Sequence, residues 1–260
     1  MSQLKGYVDQ KYLQAARHLL APIKQRTYEL MRVEPGQRVL DVGCGPGTDT
    51  VPLAVRVGAA GRVVGVDTDA AMLAEADRHA AREGVSAWTE HRHADAAALP
   101  FDSNLFDACR SERLFQHLQH PEPAMAEMVR VTRPGGWVVV LDTDHGTWST
   151  DTPESAVERK LADFRVRRMF HNGFAGRQLR RLFAQHGLAE ISIEIVAGYF
   201  DNYAFWRLMS VMDRVEAEAL AAGVVTADEL ARWRAGLEQA DAAGVFFGSE
   251  SLTLAAGRKA

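Results

Sequence analysis

The run Asp41-Val42-Gly43-Cys44-Gly45-Pro46-Gly47 carries the strongest chemical signal in the chain. An apolar strand pattern precedes it and a helical pattern follows to Val57, so the run reads as a strand–loop–helix turn. In open α/β sheets the ligand lies beyond the carboxyl ends of the strands, and the first such turn supplies its floor. Gly43 and Gly45 let backbone approach a ligand where a Cβ would intrude, and the helix after Gly47 aims unpaired N–H groups at it. Asp67 closes the second strand pattern 20 residues beyond Gly47 (67 minus 47), where a carboxylate can grip both hydroxyls of a ribose. These residues point to a nucleoside-like ligand. A dinucleotide fingerprint would need glycine where Thr48 stands, and no phosphate-loop lysine is present. Asp41 suits a cationic amino-acid group and would repel a pyrophosphate.

The elements that must position this loop follow a strand–helix rhythm. Strands are expected over 38–42, 62–66, 88–93, 106–111 and 137–142, with helices over 48–57, 70–83, around Ala96 and over 123–131. Such alternation implies a parallel sheet. After Asp142 the pattern changes to helices over 153–169 and 175–186, an alternating strand through Ile191, Ile193 and Ile195, and a last strand over 245–256 pairing with it. Residues 203–244 read as two or three helices, too long for a simple connection, and are taken as a cap. Without repeats or a Pro/Ser-rich linker, the chain reads as a single domain over 1–260. It divides into an N-terminal helical segment (1–35), a cofactor-binding core (36–150) and helical cap segments (151–186 and 200–244).

Five blocks in order resemble the class I S-adenosylmethionine-dependent methyltransferases, within the group that includes the ubiquinone/menaquinone and many natural-product enzymes. They are residues 40–47, Gly65-Val66-Asp67, Ala94-Asp95-Ala96, Phe106-Asp107 and Arg133-Pro134-Gly135-Gly136. The resemblance implies a Rossmann-like, seven-stranded, mostly parallel α/β sheet and S-adenosyl-L-methionine as cofactor. It implies that Asp41, Gly43 and Gly45 line the methionyl part, and that Asp67 binds the ribose. Thr68 and Met72 would flank the adenosine. Asp95 would accept from the adenine amine with Ala96 beside it, and the backbone of Arg110 and Ser111 would wall the other side. An exocyclic amine needs such an acceptor, and a purine face suits a thioether.

Methyl transfer from a sulfonium is an in-line displacement, so the protein must mainly align the reactants and exclude water. A base is needed only when the acceptor still holds its proton. Candidates lie after the fourth and fifth strands: Glu112, Arg113 and His117 on one side, Asp144 and His145 on the other, with His117 and His145 as the catalytic or positioning pair. Phe170, Tyr199 and Tyr203 are candidates to line an apolar acceptor pocket, though many aromatics of this region must be core.

Several readings are disfavoured. Thirty Lys and Arg against 34 Asp and Glu give a net charge of −4, the wrong sign for binding driven by phosphate neutralisation. The eight basic residues between Glu158 and Arg181 spread around a helix axis and read as a solvated face. His91 and His93 read as a strand-end surface pair lacking companion ligands, so no metal is expected. Cys44 and Cys109 cannot build a disulfide framework. Neither a signal core over 1–14 nor an apolar run of ~20 residues is present. The expectation is a cytoplasmic monomer or homodimer acting on a small, hydrophobic or aromatic metabolite, with no nucleic-acid or membrane partner. The alternatives are an RNA or protein methyltransferase, a catalytically silent cofactor-binding regulator and, remotely, an NAD-dependent oxidoreductase.

Overall fold

The computed structural model describes residues 23–260; the expected N-terminal helical segment before Ile23 lies outside the described residues. A helix over 23–30 (α1) leads into β1 (Arg38–Val42), α2 (Thr50–Val57), β2 (Arg62–Asp67), α3 (Ala70–Arg82), β3 (Thr89–His93), β4 (Phe106–Glu112) and α4 (Glu122–Val131). Then come β5 (Thr132–Thr150), α5 (Ser155–Phe164), α6 (Ala175–Gln185), β6 (Leu188–Phe200), α7 (Tyr203–Ser210), α8 (Met212–Ala221), α9 (Ala227–Ala242) and β7 (Gly248–Lys259). The seven strands form one sheet in the order β3-β2-β1-β4-β5-β7-β6. All neighbours among β1 to β5 pair in parallel, and β7 runs antiparallel between β5 and β6.

Alternation along each strand divides the core between two faces. Leu40, Val42, Val138 and Val140 pack with Met125, Met128, Leu179 and Phe183 of α4 and α6. Val39, Val139 and Leu141 pack on the other face with Ile23, Tyr28, Leu53 and Val57 of α1 and α2. Strands covered on both faces read as near-continuous apolar runs, which is why β1 and β5 were legible. The same alternation puts Asp41 on the α1/α2 face, continuing the row begun by Val39.

β5, β6 and β7 continue past β1 to β4 and carry the cap. Trp148 from β5, Phe200 from the end of β6 and Phe246 before β7 join Leu161, Trp206, Trp233 and Leu237 in a separate apolar core. Trp206 is its centre, with ring centroids 5.3 Å from Trp148, 5.6 Å from Phe246 and 5.9 Å from Trp233. Glu216 of α8, fully buried, ties α7 and α9 together through Arg207 and Arg234.

Some local expectations change. No helix forms around Ala96: the Asp95 side chain accepts from Ala97 N and closes a turn, the usual competition of a short acid with helical backbone. The helix expected over 153–169 stops at Phe164 and continues to Met169 as a π turn, which withdraws Arg165 into the interior while Arg167 and Arg168 stay exposed. Residues 175–185, grouped with the cap from sequence, lie on the sheet, because Leu179, Leu182 and Phe183 form a stripe facing β5 to β7.

Trp206→Ala is predicted to lower the unfolding free energy by about 3–5 kcal/mol, the usual loss for a buried large aromatic, measured by urea denaturation.

Candidate active site

The loops following β1, β2, β3 and β4 meet along the carboxyl edge of the sheet. Gly43 N and Cys44 N both donate to Val66 O, at 2.8 and 3.0 Å, which folds the glycine loop against the end of β2. Gly47 has φ +74°, and a Cβ there would sit 2.9 Å from Ala76 Cβ of α3, so only glycine lets the loop and that helix meet. At Gly45, also with positive φ, a Cβ would meet nothing within 4 Å, so its outer side opens to space. Asp67 accepts from Gly45 N and Asp69 N, both at 2.9 Å, and stays half-buried at the strand end. Asp69 in turn caps α3 through Ala71 N and Met72 N. Thr68 and Asp95 are exposed beside it, Met72 is half-buried and Ala96 buried, and Ser111 stands in register with Val42.

Beneath the loop lies a buried charge cluster that sequence reasoning did not identify. Arg110, in register with Asp41, extends its guanidinium to Asp41 (3.3 Å), Asp49 (3.1 Å) and Glu112 (3.0 Å). Lys24 of α1 binds Asp49 at 2.6 Å and Glu112 at 2.9 Å, and the Tyr28 hydroxyl donates to Asp49. The side chain of Arg110 thus serves this cluster, while its strand backbone runs beside β1. Although burial opposes ionisation of Asp49, the Arg110 and Lys24 charges hold it well below the usual carboxylate range. Burial pushes Asp41 up to about 7, with Arg110 pulling the other way and Asp49 and Glu112 adding to the rise. Asp41 Oδ2 has no hydrogen-bond partner among the described residues. A buried acceptor left open in this way fits a cationic group, such as the ammonium of an amino acid, at Asp41.

Along β5 a second cluster faces the turn after β4. Asp142, fully buried, accepts from Phe115 N at 2.7 Å and fixes the short helical turn Phe115–His117. His145, expected near the mouth of the sheet, lies inside β5 instead, only 6% exposed. Its Nδ1 is 2.7 Å from Glu250 Oε1 and its Nε2 is 2.8 Å from Gln116 Oε1, while Phe170 stacks on its ring at 3.6 Å. Arg165 Nη1 donates to the same Glu250 oxygen at 2.6 Å. Burial opposes ionisation at Glu250, but Arg165 and His145 hold it down at about 2. Burial also lowers His145, against the pull of Glu250. Asp144 is engaged by Arg177 at 2.6 Å.

The structure therefore gathers Arg113, His117, His145 and Phe170 around Gln116, and draws others elsewhere. Tyr203 is committed to the cap core, and Tyr199, 65% exposed, stacks on Phe247 at the outer strand. His91 is not a surface residue: its ring is buried between Thr50 of α2 and Asp77 of α3, at 2.9 and 2.8 Å, whereas His93 is exposed. Among the described residues no three His, Cys, Asp or Glu side chains form a metal-binding group. Two sequence blocks sit at the opposite edge of the sheet, where Asp107 binds Arg133 at 2.6 Å and Arg38 N at 2.8 Å. A Cβ on Gly136 would lie 2.5 Å from Asp107 O. Those blocks join β4 to β5 and do not approach a ligand at the carboxyl edge.

Sheet order, glycine loop and the acid after β2 together define a Rossmann-like nucleoside-cofactor fold of the class I methyltransferase type. Comparison with known proteins agrees. Residues 40–140 match a family model described as a methyltransferase domain. The chain is 34% identical over 225 residues to an uncharacterized 37.1 kDa protein in transposon TN4556 of Streptomyces fradiae, covering 86% of this chain and 63% of that one. It is 38% identical over 119 residues to the ubiquinone/menaquinone biosynthesis C-methyltransferase UbiE of Ectopseudomonas mendocina, covering 46% of each. The chain thus spans less than two thirds of these relatives. Its fold is similar, at TM-score 0.61 and 19% identity, to geranyl diphosphate C-methyltransferase from Streptomyces coelicolor A3(2), covering 95% of this chain and 82% of that one. Residues 40–140 thus match a methyltransferase domain, and the fold is that of the class I methyltransferases.

Asp142 is held up at about 7 by burial, against the amides that bind it. A carboxyl raised in the folded state contributes its stability below its unfolded pKa of ~4 and loses it as pH climbs through 7. Asp142→Asn is therefore predicted to remove this contribution, so that its stability relative to the wild type rises between pH 4 and 7, read by urea denaturation of both proteins across that range.

Proposed function

We propose that the protein binds S-adenosylmethionine along the carboxyl edge of its sheet and transfers the methyl group to an O, N or C atom of a small molecule by in-line displacement. The observation that carries this reading is the Asp41 oxygen that has no partner among the described residues, beneath a glycine loop whose Gly45 amide is bound by Asp67. Both acids supply the chemistry that a cationic amino-acid end and a ribose would need. The solved geranyl diphosphate C-methyltransferase, which is in complex with S-adenosyl-L-homocysteine, supports the cofactor.

The bound cofactor would supply an electrophilic methyl group. Asp41, Gly43 and Gly45 would hold the amino-acid end, Asp67 the ribose, and Asp95 the adenine amine, with Ala96, Thr68, Met72 and the backbone of Arg110 and Ser111 around the nucleoside. Holding the reacting centre at a fixed angle is the main catalytic contribution such a displacement requires. Burial, together with the positive fields of His145, Arg113 and His171, lowers His117 to about 4, too acidic for an effective base near neutral pH. His145 has both nitrogens engaged and acts on the mouth through Gln116, as a positioning residue. Phe170, stacked on His145, and Leu114, packed at Gly43, would offer apolar surface to an acceptor, which favours a small hydrophobic or aromatic molecule over RNA or a protein. A soluble, intracellular setting suits this chemistry, and no helix among the described residues is long and apolar enough to cross a membrane.

Calorimetry with S-adenosylhomocysteine is predicted to show saturable binding that Asp67→Ala weakens at least tenfold. Because only the ionised Asp41 attracts an ammonium, affinity should rise as pH passes upward through about 7 and level off above. Asp41→Asn should weaken binding and remove that rise. Absence of any heat with folded protein would reject the cofactor assignment.

A further inference from the structure

One row crosses the sheet from Arg110 of β4 through Asp41 of β1 and Gly65 of β2 to His91 of β3, each in register with the next and so on one face. Gly65 is the gap in that row. A Cβ there would lie 2.8 Å from Cys44 Sγ and 2.9 Å from His91 Cδ2, so its absence lets a cysteine of the glycine loop and an imidazole of the third strand meet over β2. The His91 side chain is fully buried, yet both ring nitrogens reach polar partners. Nε2 is 2.9 Å from Thr50 Oγ1, and Nδ1 is 2.8 Å from Asp77 Oδ1. Thr50, also buried, turns its hydroxyl back to Gly47 O at 3.2 Å. Glycine loop, α2, β3 and α3 are thus joined by one series of hydrogen bonds, from Gly47 through Thr50 and His91 to Asp77.

The protons available give that series a direction. Gly47 O and the Asp77 carboxylate only accept, and Thr50 has a single proton to give. While that proton goes to Gly47 O, Thr50 Oγ1 accepts from His91 Nε2 and Asp77 accepts from Nδ1, so the ring carries both protons. A ring with one proton keeps it on Nδ1, beside the carboxylate, and its bare Nε2 then draws the Thr50 proton away from Gly47 O. Asp77 of α3 is the charged partner of the ring. Thr50 faces it from α2, Gly65 from β2 and the Cys44 thiol from the loop, and burial, with Asp41, Asp67 and Asp77, pushes that thiol up and keeps it neutral. Gly47 is where the loop turns into α2, and its own N–H donates to Cys44 O at 3.1 Å. Losing the bond to its carbonyl loosens the turn that would receive the cofactor.

We propose that His91 is a positioning residue for cofactor binding: through Thr50, its doubly protonated ring holds Gly47 and sets the glycine loop in its ligand-receiving shape. The inference rests on the cofactor reading of that loop and adds to it a residue that acts from the strand face beneath, through Thr50.

The test uses the full chain with nitrogen-15-labelled histidines and S-adenosylhomocysteine as the probe, by NMR and calorimetry across about pH 5 to 8, where an imidazole titrates. The His91 signal is identified by its loss in His91→Gln. Below its titration both ring nitrogens should read as protonated, and above it the neutral ring should be the Nδ1–H form. Saturating S-adenosylhomocysteine should raise the His91 titration by ~0.7 pH unit, the reciprocal of roughly fivefold tighter binding to the protonated form, the weight of about one hydrogen bond. Thr50→Val keeps the shape and removes the hydroxyl. Its affinity should be about fivefold below wild type on the acid side of that titration and equal to it on the alkaline side, a ratio in which the ionisation of Asp41 cancels. Asp77→Asn, at a position 67% exposed where folding is not at risk, should move the His91 titration to lower pH. A His91 titration left unmoved by S-adenosylhomocysteine in protein that binds it, a neutral ring in the Nε2–H form, or a Thr50→Val ratio constant with pH would overturn the proposal and spare the cofactor reading. Folded wild type that takes up no S-adenosylhomocysteine would overturn both.

Discussion

Arg110 stands in register with Asp41 across β1 and β4, with its guanidinium 1% exposed. A buried guanidinium must keep carboxylates within reach, and this one holds three, from β1, from the start of α2 and from its own strand. That requirement fixes where α1 sits, because Lys24 and Tyr28 complete the set, and it fixes the level at which the glycine loop leaves the sheet. It also leaves one Asp41 oxygen without a partner among the described residues, which is the chemical reason to expect a cation there. Specificity for the amino-acid end of a cofactor would then come from a network already assembled within the protein.

The long β5 links this site to the rest of the molecule. Within one strand, Leu141 packs against the α1/α2 face, Asp142 fixes the turn after β4, His145 reaches Gln116 and Trp148 enters the cap core. Arg165 and Glu250 bring the π turn and β7 to the same histidine.

The parts of this arrangement that follow local rules were legible from sequence. Apolar runs marked β1, β2, β4 and β5, and Gly43, Gly45 and Asp67 marked the cofactor edge because glycine and a strand-end carboxylate have few other reasons to occur there. What escaped were features that depend on which buried side chains meet in space. Asp49 carries no signal of its own in the sequence, since nothing in its spacing links it to Lys24 or Arg110. His145 read as a loop residue because β5 was expected to end at Asp142, whereas pairing with β7 carries it on to Thr150. Tyr203 read as a pocket candidate because composition does not distinguish an aromatic that lines a cavity from one that packs on Trp206, 5.9 Å away. Arg165 was hidden within a run of solvated arginines, and only the π turn singles it out.

The most direct test of the central claim is a crystal structure of the protein with S-adenosylhomocysteine. The account predicts the amino group of that compound within hydrogen-bond distance of Asp41 Oδ2 and its ribose hydroxyls on Asp67, with Arg110 still bound to Asp49. An amino-acid end lodged away from Asp41, with that oxygen still unpartnered, would contradict it.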